Sequence, residues 1–198
     1  MTVPTAPSEA TPTAAVVDAA PFGRTVARFD DAIDLAFTRW RGHPLADGVF
    51  HLASQLGDWS VLWHIIGGVR GVARSDLQDE AVRLSTVLGV ESLLVNQIVK
   101  RVFLRRRPIS ELKVPVRVRR PVTSSFPSGH ASSAFCAAVL LSTGHRRSAP
   151  LWFALASIVA ASRIHVKLHH ASDVVAGALL GTLIGSVARS LWPLDQKR

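Results

Sequence analysis

The stretch SRIHVKLHHASD, residues 162–173, places an arginine, three histidines and an aspartate between two apolar runs. LWFALASIVAA (151–161) precedes it, and VVAGALLGTLIGSVA (174–188) follows it. Charged groups at membrane depth are costly, and they are usually there for a function. The pattern predicts two lipid-compatible helices joined by a functional polar turn.

Composition is compatible with a membrane protein. The chain has 198 residues, of which 48% are hydrophobic and 19% charged, and its mean hydropathy is +0.26. A formal net charge of +9 suits nucleic acid, anionic lipid headgroups or phosphorylated substrates, and composition does not choose among them. The single cysteine, Cys136, excludes an intrachain disulfide framework and any multi-cysteine metal site.

The chain divides into a tail and one helical domain. Residues 1–20 are rich in Pro, Thr and Ala, lack the features of a signal peptide and are predicted to be disordered. Residues 21–198 are predicted to form a single membrane domain. In this domain, residues 22–41 carry apolar side chains three and four apart with charges between them. They predict an amphipathic helix, too charged to span the bilayer, that lies flat at the interface.

Five longer apolar segments follow, at 48–69, 80–104, 128–145, 149–165 and 170–192. Each approaches the roughly 20 residues that a helix needs to cross a bilayer. Polar residues within them, such as Asp58 and Glu91, are expected to face the bundle interior. Gly177, Gly181 and Gly185, at four-residue spacing, predict close helix packing. Without strand-like alternation, the sequence predicts an all-α, multi-pass bundle of about five spans.

The polar groups are expected to converge on one face of this bundle. If the segments are antiparallel neighbours, KRVFLRRRP (100–108), FPSGHAS (126–132) and both halves of SRIHVKLHHASD lie on the same side. That face would collect Lys100, Arg107, His130, Arg163, His169, His170 and Asp173.

Two of these stretches favour an anion. Lys100 and Arg107 are seven residues apart, so both can point the same way near a helix end. In FPSGHAS, the start of a helix offers backbone amides without internal partners, and its dipole favours negative charge. His130, in the first turn, would lie beside any bound anion.

The third stretch supplies a nucleophile or base. His169 and Asp173 are four residues apart and share a helix face, so the carboxylate can hold one imidazole nitrogen and leave the other available. His170 is three residues from Asp173, and His165 is four before His169. Spacing favours His169 or His170 and does not decide between them.

Several cations, helix-end amides and two histidines fit a tetrahedral oxyanion. No acidic cluster is present to hold magnesium or calcium, and His130 with His169 is a thin ligand set for zinc. The sequence therefore predicts phosphoryl transfer without a metal or cofactor. A histidine attacks phosphorus, the cations stabilise the equatorial oxygens, a second histidine protonates the leaving oxygen, and water hydrolyses the phosphohistidine.

The three stretches together resemble the signature of the type 2 phosphatidic acid phosphatase (PAP2) superfamily, which reads K-x6-RP, PSGH and SR-x5-H-x3-D. Every position of that signature has its match within residues 100–173. The resemblance implies that His169 is the nucleophile, His130 the general acid, and Asp173 the residue that orients His169. It also implies a phosphate-binding set comprising Lys100, Arg107, Ser128, Gly129 and Arg163.

The resemblance further implies a metal-independent lipid phosphatase in the bacterial plasma membrane, with its site at one membrane face and no nucleic-acid partner. Candidate substrates are phosphatidic acid, phosphatidylglycerophosphate, polyprenyl phosphates or diphosphates, and polyprenyl-phosphoryl sugars with a terminal phosphate. Integral family members commonly have six spans, whereas here the interfacial helix replaces the first. The sequence leaves open which side of the membrane the site faces.

Two other functions remain as alternatives at this point. Vanadium-dependent haloperoxidases share this oxyanion site, but they are typically larger and soluble. A non-enzymatic basic protein could bind anionic lipid through residues 100–120, but this would not explain the placement of His130, His169 and Asp173.

Overall fold

The computed structural model describes residues 22–108, 123–143 and 146–194, and within these ranges it contains helices and no strands. The predicted all-α class is confirmed. The tail predicted over 1–20 and most of the basic stretch after Pro108 lie outside the described residues. The helices are α1 (Arg24–Thr38), α2 (Pro44–Leu56), α3 (Val61–Ala73), α4 (Gln78–Leu93), α5 (Lys100–Val102), α6 (Gly129–Leu141), α7 (Ala149–His165) and α8 (Ala171–Leu191).

The first apolar segment is not one helix, so the prediction of a single continuous span over 48–69 is wrong. A turn at Gly57–Ser60 separates α2 from α3, and Trp59 and Ser60 adopt left-handed φ values of 56° and 58°. Residues with left-handed φ values cannot continue a right-handed helix, so the chain turns sharply after α2. The same turn carries Asp58 to the N-terminus of α6.

Helix α6 lies at the centre of the bundle and packs against α4, α7 and α8. Nearly all of its side chains are buried, and most of them are small. On one side, Leu140 and Leu141 join a core that includes Trp63, Leu84 and Leu88. Small residues along α6 let three neighbouring helices approach it closely.

The closest of these approaches involves the three glycines of α8. A Cβ atom on Gly181 would lie 1.9 Å from the Ser132 carbonyl oxygen, and one on Gly177 would lie 2.3 Å from the Ser128 carbonyl oxygen. On Gly185 it would lie 2.9 Å from the Cys136 carbonyl oxygen. The predicted close packing along this glycine row is confirmed.

Two helices of the described chain are long and apolar enough to cross a membrane. One is the continuous helical stretch Ser75–Val102, which combines a 3-10 turn at Ser75–Leu77, α4, a π-helical turn at Leu94–Val99 and α5. The other is α8. Helices α6 and α7 are apolar but shorter. The count of about five spans therefore stays a prediction. Large apolar side chains on the outer faces, such as Leu179, are well exposed and suit contact with lipid.

The amphipathic segment 22–41 contains α1, which packs against α7 and α8, and its placement at the membrane interface stays a prediction. Ile33 and Phe37 contact a small core cluster there. Two of its acidic residues also turn toward the bundle. Asp30 is buried, and Asp34 pairs with Arg41 at 2.6 Å. The apolar and acidic residues of α1 thus share the inward side.

Candidate active site

A cavity of about 690 Å³ lies where the ends of the helices meet. Five predicted charged or histidine side chains line it, together with Gly129: Lys100, Arg107, His130, Arg163 and His169. They come from α5, the segment after it, the first turn of α6, the last turn of α7 and the α7–α8 turn. The structure thus brings together residues up to 69 positions apart in sequence.

Three of the cations that line this cavity belong to the predicted set: Lys100, Arg107 and Arg163. Arg163 is almost fully buried, and its Nη1 donates a hydrogen bond to Ser54 Oγ on α2. Lys100 is also buried, with 7% of its surface exposed. Positive charges crowded into a poorly solvated cavity repel one another, so a bound anion would stabilise the arrangement.

Arg107 is fixed between two loops. Its Nη1 donates to the Leu168 carbonyl oxygen at 2.9 Å and lies 3.1 Å from His169 Nε2. Its Nη2 donates to the carbonyl oxygens of Thr123 and Ser124, both at 3.3 Å. The guanidinium is therefore held beside the Nε2 atom of His169.

His169 is buried, lines the cavity and has its Nε2 next to Arg107. Its Nδ1 lies 3.7 Å from Asp173 Oδ2, a distance that places the two groups side by side without a close hydrogen bond. Burial lowers the pKa of His169 to about 3, despite the opposing effect of Asp173. The imidazole is therefore neutral near pH 7 and can act as a nucleophile.

The two other histidines of the stretch lie elsewhere. His165 Nε2 is 2.7 Å from Asp47 Oδ1, and its ring stacks on Phe50 with centroids 4.6 Å apart. His170 is the N-cap of α8. Neither lines the cavity, so geometry separates His169 from the alternatives that spacing left open.

Two predicted site residues lie behind the cavity wall. Ser128 caps α6, since its Oγ accepts a hydrogen bond from the Ala131 N–H at 3.4 Å. Its own N–H donates to the Asp173 carbonyl oxygen at 2.9 Å. Asp173 is fully buried, and its Oδ2 accepts the His170 N–H at 2.9 Å. Both residues join the start of α6 to the start of α8.

Asp58 was absent from the predicted site. Its Oδ1 lies 2.9 Å from His130 Nε2. Gly57 permits this contact, because a Cβ atom there would lie 2.6 Å from His130 Cδ2. The sequence contains one signal for this contact, the Gly57-Asp58 pair inside an apolar segment. Such a pair indicates a helix break and a charge that faces inward, but it does not identify the residue that the charge contacts.

Arg105 was also missed. It is 9% exposed and donates from Nη1 to Asp173 Oδ1 at 2.5 Å. Three consecutive arginines occupy positions 105–107, and the sequence cannot tell which of them turn inward.

One wall of the cavity is polar. Glu91 and Ser92, at the end of α4, and Asn96 and Gln97, in the π-helical turn that links α4 to α5, line it. Asn96 donates to Ser92 Oγ at 3.1 Å, and the buried Oε1 of Glu91 has no hydrogen-bond partner among the described residues. Single π-helical turns in α-helices often mark functional sites.

The site suits an anionic ligand. Over residues 22–108, 123–143 and 146–194, no group of three or more His, Cys, Asp or Glu side chains is placed to hold a metal ion. The cavity instead combines a neutral imidazole, a second histidine next to a carboxylate, and several cations. Such a set can bind a phosphate group and transfer its phosphoryl group to an imidazole nitrogen.

Comparisons with known proteins agree with this chemistry. The PAP2 superfamily matches residues 80–196. The chain is 31% identical over 141 residues to a decaprenylphosphoryl-5-phosphoribose phosphatase of Mycobacterium tuberculosis, covering 70% of this chain and 76% of that protein.

Two solved structures have the same fold. One is a transmembrane PAP2 type phosphatidylglycerolphosphate phosphatase from Bacillus subtilis, with a TM-score of 0.68 and 24% identity over 92% of this chain and 94% of that chain. The other is LpxE from Aquifex aeolicus, with a TM-score of 0.66 and 27% identity over 82% of this chain and 95% of that chain.

Proposed function

The chain belongs to the PAP2 superfamily, and we propose that its cavity removes phosphate from a membrane lipid through a phosphohistidine formed on His169. One observation carries this proposal. His169 lines a cavity together with a second histidine and the cations Lys100, Arg107 and Arg163, and Arg107 Nη1 lies 3.1 Å from His169 Nε2. A phosphoryl group bound by the cations would have its phosphorus within reach of Nε2.

In the first step, the lone pair of His169 Nε2 forms a bond to phosphorus as the bond from phosphorus to the lipid oxygen breaks. Lys100, Arg107 and Arg163 hold the three remaining oxygens, whose charge the cations stabilise in the transition state. His130 gives a proton to the leaving oxygen.

In the second step, His130 takes a proton from water, and the water oxygen attacks phosphorus and displaces Nε2. Asp173 faces the proton on Nδ1 in both steps and stabilises the positive imidazolium while phosphate is attached. Asp58, next to His130, orients that ring for both proton transfers.

The test is phosphate release by purified protein in detergent, with His169→Ala beside it and His170→Ala as the matched control. Loss of the nucleophile is expected to reduce turnover at least about a thousandfold, while the control retains most of it. Orthovanadate is expected to inhibit and EDTA to have no effect, because the residues that bind phosphate are cations. Near-normal turnover by a folded His169→Ala variant would contradict the mechanism.

For the substrate, we propose a polyprenyl-phosphoryl sugar with a terminal phosphate. The matched Mycobacterium tuberculosis protein is named for such a lipid. The polar wall formed by Glu91, Ser92, Asn96 and Gln97 also offers acceptors to sugar hydroxyls. A substrate without hydroxyls near its phosphate would leave the buried Glu91 oxygen unpaired, at a cost.

The substrate proposal is tested by comparing a polyprenyl-phosphoryl pentose phosphate with phosphatidylglycerophosphate and polyprenyl diphosphate. We expect the sugar lipid to have the highest kcat/KM. Asn96→Ala should raise KM for the sugar lipid about tenfold, the effect of one lost polar contact, and should change the diphosphate little. Equal effects on both lipids would contradict a sugar-binding wall.

We also propose a multi-pass placement in a bacterial plasma membrane, with α1 lying at the interface on the side of the cavity. The exposed apolar side chains on the outer faces of the bundle support it, and so do the two helices long enough to span. Phosphate chemistry at one membrane face lets the headgroup enter the cavity while the lipid tails stay in the bilayer.

A further inference from the structure

Arg105 lies between two buried carboxylates, those of Asp173 and Asp30. Asp173 belongs to the family signature, whereas Arg105 and Asp30 do not. Its Nη1 donates to Asp173 Oδ1 at 2.5 Å and to Ser172 Oγ at 2.8 Å. Its Nη2 donates to Asp30 Oδ2 at 2.7 Å. The side chains of Arg105, Asp30 and Asp173 are 6%, 4% and 0% exposed. A buried charge is tolerated only when it is paired this closely.

Asp30 ties this group to α1. Its Oδ1 accepts the Ser172 N–H at 2.7 Å, and its Oδ2 accepts the Ser172 hydroxyl at 2.9 Å. The Phe22 ring lies 5.0 Å from the guanidinium carbon of Arg105. The backbone of Arg105 is also fixed, since its N–H donates to Ser124 Oγ at 3.1 Å. The guanidinium plane is therefore held in one orientation.

Both oxygens of Asp173 are in turn constrained. Arg105 holds Oδ1, and the His170 N–H holds Oδ2, which leaves Oδ2 facing His169 Nδ1 at 3.7 Å. We propose that Arg105, fixed by Asp30 of α1, is a positioning residue that orients Asp173 and through it the His169 imidazole. This inference rests on the proposed function, because it assigns a role in the step that His169 performs.

Charge balance supports the same role. Asp30, Arg105 and Asp173 together carry one net negative charge when both carboxylates are ionised. The neutral His169 becomes a positive imidazolium when its Nε2 bonds to phosphorus. The net negative charge of Asp30, Arg105 and Asp173 therefore attracts the His169 ring only in the phosphohistidine intermediate. An interaction that strengthens as the reaction proceeds raises kcat, while KM changes little.

The experiment compares Arg105→Lys and Asp30→Asn with Arg106→Lys and Asp31→Asn, which alter exposed neighbours of the same types. A lysine cannot bridge two carboxylates as the planar guanidinium does. We expect kcat to fall by about tenfold to a hundredfold in Arg105→Lys and by a smaller factor in Asp30→Asn, with KM within about twofold. Both controls should keep wild-type values.

A second readout separates positioning from general stability. Orthovanadate can bond to His169 Nε2 in the geometry of the transition state, whereas inorganic phosphate needs only the cations. The inhibition constant for vanadate is expected to rise in parallel with the loss of kcat/KM, while that for phosphate stays constant. The double variant Arg105→Lys with Asp30→Asn should lose less than the product of the two single losses.

The inference is overturned if Asp30→Asn and Arg105→Lys, both folded, keep kcat within twofold of wild type, or if vanadate and phosphate weaken equally. If Arg105→Lys does not fold, Asp30→Asn alone decides by the same criteria. Failure of the proposed function looks different, because wild-type protein and both controls would then release no phosphate from any lipid.

Discussion

At the scale of single residues, burial keeps the His169 imidazole neutral, and this has a consequence for stability. Its pKa is about 3 in the folded protein and near 6.5 in an unfolded chain. Between these values the unfolded state binds more protons, so stability falls as pH drops below about 6.5. One such group contributes about 1.4 kcal/mol per pH unit.

We therefore expect the thermal unfolding midpoint in detergent to fall between pH 7 and pH 5, and His169→Asn to make that fall smaller. The asparagine has no proton to gain, so the difference between the two proteins isolates the histidine. If the unfolding midpoints of both proteins depended on pH in the same way, burial would not lower the pKa of His169.

The pairing of Asp58 with His130 predicts a defect that depends on the leaving group. Asp58→Asn should lower kcat about tenfold on a lipid phosphate, whose alkoxide needs a proton to leave. It should have little effect on p-nitrophenyl phosphate, whose leaving group needs none. Asp79→Asn, at an exposed position, serves as the control, and equal losses on both substrates would argue against a role in protonation.

At this scale, the sequence predicted which side chains would meet, because Lys100, Arg107, His130, Arg163 and His169 lie at or near helix ends that antiparallel topology places on one side. The catalytic and binding roles assigned to them stay predictions. Asp58 and Arg105 could not be found this way. Their partners are distant in sequence. The left-handed turn at Gly57–Ser60 directs Asp58 inward, and the contact of the Arg105 N–H with Ser124 Oγ fixes the segment that carries Arg105.

At the scale of elements, the contact between α6 and α8 sets the geometry of the site, because it joins the helix start bearing His130 to the one bearing Asp173. Gly181 has no room for a methyl group, which would lie 1.9 Å from a backbone oxygen of α6. Backbone cannot move aside as a flexible side chain can, so the two helices would have to separate.

We expect Gly181→Ala to destabilise the protein by about 3 kcal/mol or more, at the upper end for overpacking, and to reduce activity through the displaced helix starts. Gly89→Ala on α4 is the matched control, since its added methyl meets nothing within 4 Å and helix propensity favours alanine by about 1 kcal/mol. Measured unfolding midpoints should move in opposite directions. A neutral Gly181→Ala would refute the close approach.

Helices were easier to foresee than their interruptions. The glycine row of α8 predicted close packing, and the periodicity of residues 22–41 predicted a helix, because both are local patterns. The break at Gly57–Ser60 was missed because apolar residues continue on both sides of it. The helix ends where Trp59 and Ser60 adopt left-handed φ values; the Gly57-Asp58 pair is only a weak local signal of this break, and the partner of Asp58 at the start of α6 is distant in sequence.

At the scale of the whole molecule, function depends on one face of the bundle being chemically different from the rest. The outer faces expose large apolar side chains, while the cations and histidines gather at helix ends around the cavity. Ser75–Val102 spans 28 residues, ample for a hydrocarbon core of about 30 Å at 1.5 Å per residue. Helix α6, with 13 residues, is only about 20 Å long.

This arrangement predicts which positions share a side of the membrane. If α4 with α5, and then α6, each cross once, Arg106 lies on the side of the cavity, and Ser75 and Arg147 lie together on the other. In a Cys136→Ala background, single cysteines at these three exposed positions would be treated with a membrane-impermeant maleimide on intact cells. Position 106 should then label differently from 75 and 147, and all three should label after permeabilisation. Labelling of 106 and 147 from the same side would contradict the crossing of α6, and with it the placement of the cavity at one membrane face.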